Sequence, residues 1–148
     1  MLFRSIENDF SNINAFKHLE SSFDEVYMLA SVVGVSKCIQ EPHEVIRINT
    51  SLITNTLNWI VENKIPKALF SSSSECYAGT TESFKYSVPT DENVPLSIED
   101  ISHPRFTYAV TKMLGESAFL NYGKKHGFFS VIVRYQNIFG PQIGRAHV

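Results

Sequence analysis

The chain has 148 residues, 43% hydrophobic and 19% charged, with a formal net charge of −2. That length and balance fit one soluble globular domain with a sizeable core, and the lack of any Lys/Arg run excludes the electrostatic footprint of a nucleic-acid or acidic-membrane binder. Cys38 and Cys76 lie far apart and in no CxxC pattern, which speaks against a disulfide framework or zinc site and makes a reducing compartment, the cytoplasm, the expected setting.

The amino end carries Arg4, Glu7 and Asp9 and no apolar core of signal-peptide length. Asn12 to Glu20 reads as a short helix capped near Ser11, and Asp24 to Ala30 as a buried strand ending in small residues. From Pro42 to Asn63 apolar residues recur at Val45, Ile46, Ile53, Leu57, Ile60 and Val61, a helical spacing with proline near the first turn. Lys67 to Ser71 is a second strand. Thr80 to Pro104, which contains Pro89, Pro95 and Pro104, reads as a long surface loop. A helix from Phe106 to Lys125 ends near Gly127, and Phe128 to Arg134 is a third strand. Strands alternating with helical crossovers of this length predict an α/β fold, a doubly wound parallel sheet of Rossmann-like type with right-handed connections.

Ligands of such sheets sit at the carboxyl ends of the strands. Here those ends are Ala30-Ser31, Ser71 to Glu75, and Tyr135 to Asn137. The middle one, "SSSSECYAG", places four hydroxyls, an acid, a thiol and a phenol in one turn. Serines also start ordinary loops, because their hydroxyls bond neighbouring backbone, so the stretch alone leaves both readings open. "YAVTK", Tyr108 to Lys112, adds a tyrosine and a lysine four apart, hence on one helix face. A nearby ammonium favours phenolate over phenol, so the pair could act as a base near neutral pH. By itself the spacing is common on solvated helix surfaces. His18, His43, His103, His126 and His147 show no metal spacing and read as surface residues, and no metal is expected. Cys76 reads as a small buried hydrophobe and Arg134 as structural.

Taken together, "DEVYMLAS", "RINTSLITNTL", "FSSSSECYAG", "YAVTK" and "RYQNIFGP" occur in the order and spacing of the extended short-chain dehydrogenase/reductase family. The chain resembles in particular its NAD-dependent nucleotide-sugar epimerases and dehydratases. The resemblance implies that Tyr108 is the base, that Lys112 holds the nicotinamide ribose and lowers the tyrosine pKa, and that Ser73 bonds the reacting hydroxyl. It places Ala30, Ser31, Asn49, Ser71 and Tyr135 near NAD, and Ser73, Ser74 and Asn137 at the nucleotide-sugar substrate. Asn49 could equally satisfy backbone between its helix and a neighbouring loop. Met28 and Ala78 depart from the family's usual His and Gly.

No GxxGxxG occurs among the seven glycines, so the pyrophosphate cradle of that family is not in this sequence. The chain is therefore expected to be an internal piece, itself inactive, with residues 6–142 a partial NAD(P)-binding domain and the carboxyl-terminal substrate domain outside it. "MLFRS" (1–5) and "IGRAHV" (143–148) are what the two strands of a common sequencing adapter encode, and are expected to be read-through.

The expected activity is epimerisation through a transient 4-keto sugar. Glu75 stands where dehydratases of this family place the second acid of a pair, with Ser74 in place of the first, so a 4,6-dehydratase or a UDP-glucuronate decarboxylase is the alternative. A non-catalytic NAD(P)-binding member is the alternative of another class. The Pro42–Asn63 and Phe106–Lys125 helices resemble the family's dimer helices, so the parent protein is expected to be a homodimer.

Overall fold

The computed structural model describes residues 5–140. The proposed read-through ends therefore lie, Ser5 apart, outside the described residues. Three parallel strands, β1 (Val26–Met28), β2 (Lys67–Ser73) and β3 (Phe129–Tyr135), form a sheet in the order β1-β2-β3. This is the expected parallel α/β arrangement. In the register, Met28 faces Phe70, and Ser72 and Ser73 face Arg134 and Tyr135, so the carboxyl ends of all three strands reach the same side of the sheet.

Helices α2 (Pro42–Glu62) and α4 (Thr107–His126) make the two crossovers and pack on each other. Pro42 opens α2 in its first turn, where a missing N–H costs nothing. Its inward face is Val45, Leu52, Ile53, Leu57 and Ile60: Leu52 joins the apolar stripe read from the sequence, Val61 is only partly buried, and Ile46 stands exposed. The carboxyl end of α4 is closed by Gly127 in the left-handed region (φ 81°), its N–H bonding the Gly123 carbonyl at 2.8 Å. Phe70 and Phe119 stack at 4.9 Å at the centre of the core, joined by Met28, Ile53, Leu57 and Ile60. Tyr27, Leu29, Phe129 and Val131 stay exposed on the sheet.

The structure refines several expectations. The first strand is shorter than Asp24–Ala30. The segment Asn12–Glu20 holds a 3₁₀ helix, Ile13–His18, capped by the Asn12 side chain, which accepts from the Asn14 N–H at 3.0 Å, rather than by Ser11. A helix the sequence did not announce, α1 (Val35–Gln40), follows Gly34 at φ 107°. The stretch expected to be irregular from Thr80 opens instead with α3 (Ala78–Phe84). Its reason is tertiary. Thr80 Oγ1 donates to the Pro95 carbonyl at 2.6 Å and accepts from the Ser97 N–H at 3.0 Å, while the Gly79 N–H bonds the Ser97 carbonyl at 3.1 Å. The returning loop therefore pins the helix. His18, His43, His103 and His126 are exposed, as read, and His147 lies outside the described residues.

Gly115 sets the distance between α4 and β2: a Cβ there would stand 2.2 Å from Phe70 Cζ. Alanine favours a helix interior over glycine by up to about 1 kcal/mol, but overpacking a core costs about 1–3 kcal/mol. Gly115→Ala is therefore expected to destabilise the fold by about 1–2 kcal/mol in urea unfolding, with much of that loss recovered on adding Phe70→Leu.

Candidate active site

A cavity of about 290 Å³ opens at the carboxyl ends of the strands. Ser31, Ser71, Ser73, Ser74, Glu75, Tyr108, Lys112, Tyr135 and Asn137 line it, so most of the residues singled out from the sequence meet in one place. Ser72 and Gln136, inside the strand ends named from the sequence, also line it, and so do Leu29, Val33 and Ile138, which were not singled out. Ala30 is not among its walls. It lines instead an apolar hollow beside Leu52 and Trp59, because alternate residues of an extended segment point to opposite faces.

Lys112 is 3% exposed, and its Nζ donates to the Ser71 carbonyl at 2.7 Å while lying 5.0 Å from the Phe70 ring centre and 5.4 Å from that of Tyr108. Burial pushes its pKa down to about 8. Tyr108 is half-buried, and burial raises its phenol above the ordinary value, a rise that the Ser73 hydroxyl on the same cavity wall opposes. The Lys112 ammonium lies over the Tyr108 ring, 5.4 Å from its centre, and the net rise of the phenol comes first from its burial.

Ser73 caps a 3₁₀ turn, Ser74–Tyr77, its Oγ accepting from the Glu75 N–H at 3.2 Å. The Glu75 carboxylate lies 3.8 Å from the Arg105 guanidinium, both groups part-exposed. A second cavity of about 670 Å³ shares Ser74, Glu75 and Gln136 with the first and is walled by Thr81, Glu82, Val88, Glu99 and Arg105.

Asn49 is buried and its amide is engaged throughout. Oδ1 accepts from the Val32 N–H at 2.7 Å, and Nδ2 donates to the Val32 carbonyl at 3.2 Å and to Thr111 Oγ1 at 3.1 Å. It supports the loop after β1 from behind, the second of the two roles left open for it. Cys76 is fully buried with its thiol pKa raised by burial, as its reading as a small hydrophobe requires. Arg134 pairs with Glu116, Nη2 to Oε2 at 2.7 Å, and its pKa is raised, first by that hydrogen bond. Among the described residues no group of His, Cys, Asp and Glu could hold a metal, and no helix is long and apolar enough to cross a membrane.

The residues present fit the ribose end of a dinucleotide. A buried ammonium with one carbonyl acceptor, at the wall of a hydroxyl-lined cavity, calls for further oxygen partners.

The sequence model of the NAD dependent epimerase/dehydratase family matches residues 4–148. A UDP-N-acetyl-alpha-D-glucosaminuronate decarboxylase of Bacillus cytotoxicus is 32% identical over 129 residues, covering 87% of this chain and 38% of the relative. A UDP-glucose 4-epimerase of Azospirillum brasilense is 31% identical over 117 residues, covering 79% of the chain and 30% of the relative. The chain thus spans about a third of the length of such relatives. Among solved structures, a UDP-N-acetylglucosamine 4-epimerase from Methanobrevibacter ruminantium superposes with a TM-score of 0.74 at 26% identity, over 93% of this chain and 40% of that one.

The depressed Lys112 pKa sets a pH dependence. Between about pH 8 and its ordinary 10.5, the unfolded chain binds a proton there that the folded chain does not, so Lys112 makes stability rise with pH over that window. Tyr108, whose folded pKa is raised, acts with the opposite sign only above its ordinary 10.0. Denaturant midpoints measured from pH 8 to 10 are expected to show a rise that Lys112→Met abolishes. Asn49→Ala, which strips partners from the Val32 N–H and carbonyl, is expected to cost about 1–3 kcal/mol in the same measurement.

Proposed function

The chain belongs to the NAD dependent epimerase/dehydratase family, and from that premise we propose that the protein containing it is an NAD-dependent nucleotide-sugar epimerase working through a transient 4-keto sugar. The observation that carries the reading is the convergence of Ser73, Tyr108 and Lys112 on one cavity at the strand ends. A non-catalytic member would have no need of all three together.

Bound NAD supplies the hydride acceptor and a positively charged ring. The chain's own residues do the rest. With NAD in place, its positive ring would offset the burial that raises the Tyr108 phenol, so that the ionised phenol could take the proton of the sugar hydroxyl, while Ser73, on the same cavity wall, would bond that sugar oxygen. Lys112, anchored on the Ser71 carbonyl, holds the ribose. Of the residues lining the cavity, we assign Ser31, Ser71 and Tyr135 to the cofactor and Ser74 and Asn137 to the substrate. The adjoining 670 Å³ cavity would give a keto sugar room to turn over.

One observation favours a second reading. The Glu75 carboxylate stands at the junction of the two cavities with Arg105 at 3.8 Å, where a second acid/base group could eliminate water from the keto sugar or assist decarboxylation. The Bacillus cytotoxicus relative is named a decarboxylase. We also read the protein as a cytoplasmic homodimer joined through α2 and α4, on which apolar Ile46 and Leu114 stand exposed.

In the protein containing this chain, Tyr108→Phe is expected to lower turnover by a factor on the order of a hundred or more while NAD absorbance stays with the purified protein. Unchanged turnover would remove Tyr108 as the base. Lys112→Ala is expected to weaken turnover and NAD binding together. Product analysis with UDP-N-acetylglucosamine, UDP-glucose and UDP-glucuronate separates the readings: an epimer supports the first, a 4-keto-6-deoxy sugar or released CO₂ the second.

A further inference from the structure

The mechanism above leaves one buried carboxylate unused. Glu116 lies one turn beyond Lys112 on α4, so Tyr108, Lys112 and Glu116 form a stripe at four-residue intervals along one face of the helix. The end of β2 runs against that stripe, and three consecutive serines meet it. Ser73 lines the same cavity as Tyr108, the Ser71 carbonyl accepts from Lys112, and the Ser72 hydroxyl donates to Glu116 Oε1. Arg134, the register partner of Ser72 on β3, grips the same carboxylate from the other side, Nε to Oε1 at 2.8 Å and Nη2 to Oε2 at 2.7 Å. Its Nη1 donates to the Tyr77 hydroxyl at 2.7 Å and to the Glu92 carbonyl at 3.1 Å. A single carboxylate thus joins the helix bearing the base, the strand end bearing Ser73, and the strand end leading into Tyr135 and Asn137.

Stability alone is a poor account of this arrangement. Burying an ion pair costs about as much desolvation as its attraction returns, and apolar residues of like volume often serve as well. What a two-pronged guanidinium–carboxylate pair adds is a fixed orientation. We propose that Glu116 is a positioning residue: by holding Ser72 and Arg134 at once, it sets the distance at which the Ser73 hydroxyl meets the Tyr108 phenol, and with it the geometry of proton transfer. An error of about 1 Å in such a geometry can cost on the order of a hundredfold in rate. The proposal rests on Tyr108 as the base. Its test needs neither cofactor nor substrate, and so stands or falls separately from the epimerase reading.

The six tyrosines of the chain are replaced by 3,5-difluorotyrosine, whose phenol ionises nearer neutrality, and titrated by ¹⁹F NMR, the Tyr108 signal being assigned from Tyr108→Phe. Ser73→Ala calibrates the loss of the Ser73 contact by raising the Tyr108 midpoint. Ser72→Ala leaves the ion pair in place, and Glu116→Gln keeps the volume while removing the charge. Each is expected to raise the midpoint by about half a pH unit, a roughly threefold change in the acid constant, with Tyr86 and Tyr122 unmoved. Ser72→Ala is the milder change and decides the matter if Glu116→Gln does not fold. A folded Ser72→Ala protein whose Tyr108 midpoint matches the unsubstituted chain, while Ser73→Ala shifts it, overturns the proposal. So does an absent shift in Ser73→Ala, since there would then be no contact to position.

Discussion

The close approach of α4 to the central strand governs this structure. At Gly115 the helix comes so near that the Phe70 ring occupies the place of a side chain, and only glycine permits it. That contact lies between Lys112 and Glu116, and it brings both side chains within reach of β2. Lys112 thereby meets the Ser71 carbonyl and Glu116 the Ser72 hydroxyl, and Tyr108, one turn earlier, comes to the cavity that Ser73 also lines. A larger residue would push the helix outward and loosen both hydrogen bonds together.

Burial decides the electrostatics of the site more than charge does. Tyr108 and Lys112 are both shifted toward their neutral forms, the phenol upward and the amine downward, because each loses water when α4 packs down. Glu116 shows the opposite outcome from the same start. Burial is the largest single influence on it and would raise its pKa, yet hydrogen bonds from Arg134 and Ser72 together hold the carboxyl below its usual range. The difference is one of partners. Glu116 has a guanidinium fork and a hydroxyl, Lys112 a single carbonyl. The site thus holds an anchored ion pair beside a pair of groups that lack charge partners, and the latter face the cavity where ligand oxygens would stand.

The second layer of the site is built from backbone held by side chains. Asn49 supports the loop after β1 through two hydrogen bonds to Val32 and ties it to α4 through a third to Thr111, and Thr80 ties α3 to the returning segment at Pro95 and Ser97. Neither reaches the main cavity. Both fix the height of its walls, Asn49 through Val32 between Ser31 and Val33, and Thr80 beside Thr81 in the adjoining cavity.

The sequence by itself determined the alternation of strands and helices and the bounds of α2 and α4, because the apolar period, Pro42 and Gly127 are local signals that the chain carries wherever it folds. It also determined which residues would gather, since parallel strands bring their carboxyl ends to one side and Ser71 to Glu75, Tyr108 and Tyr135 follow from that rule. What only the tertiary structure decided was everything that depends on distance between elements. Helix α3 was not legible because a loop far along the chain stabilises it through Thr80. That Ala30 lines an apolar hollow and not the main cavity was not legible, because the face on which a residue falls depends on where the strand ends. The direction of the Tyr108 shift could not be read from a four-residue spacing, which puts Lys112 on the right face but says nothing of how deeply α4 buries the phenol. Glu116 stood in the sequence as one more acid on a helix. Its partners, Ser72 and Arg134, are 44 and 18 residues away, and only the packed sheet brings them to it.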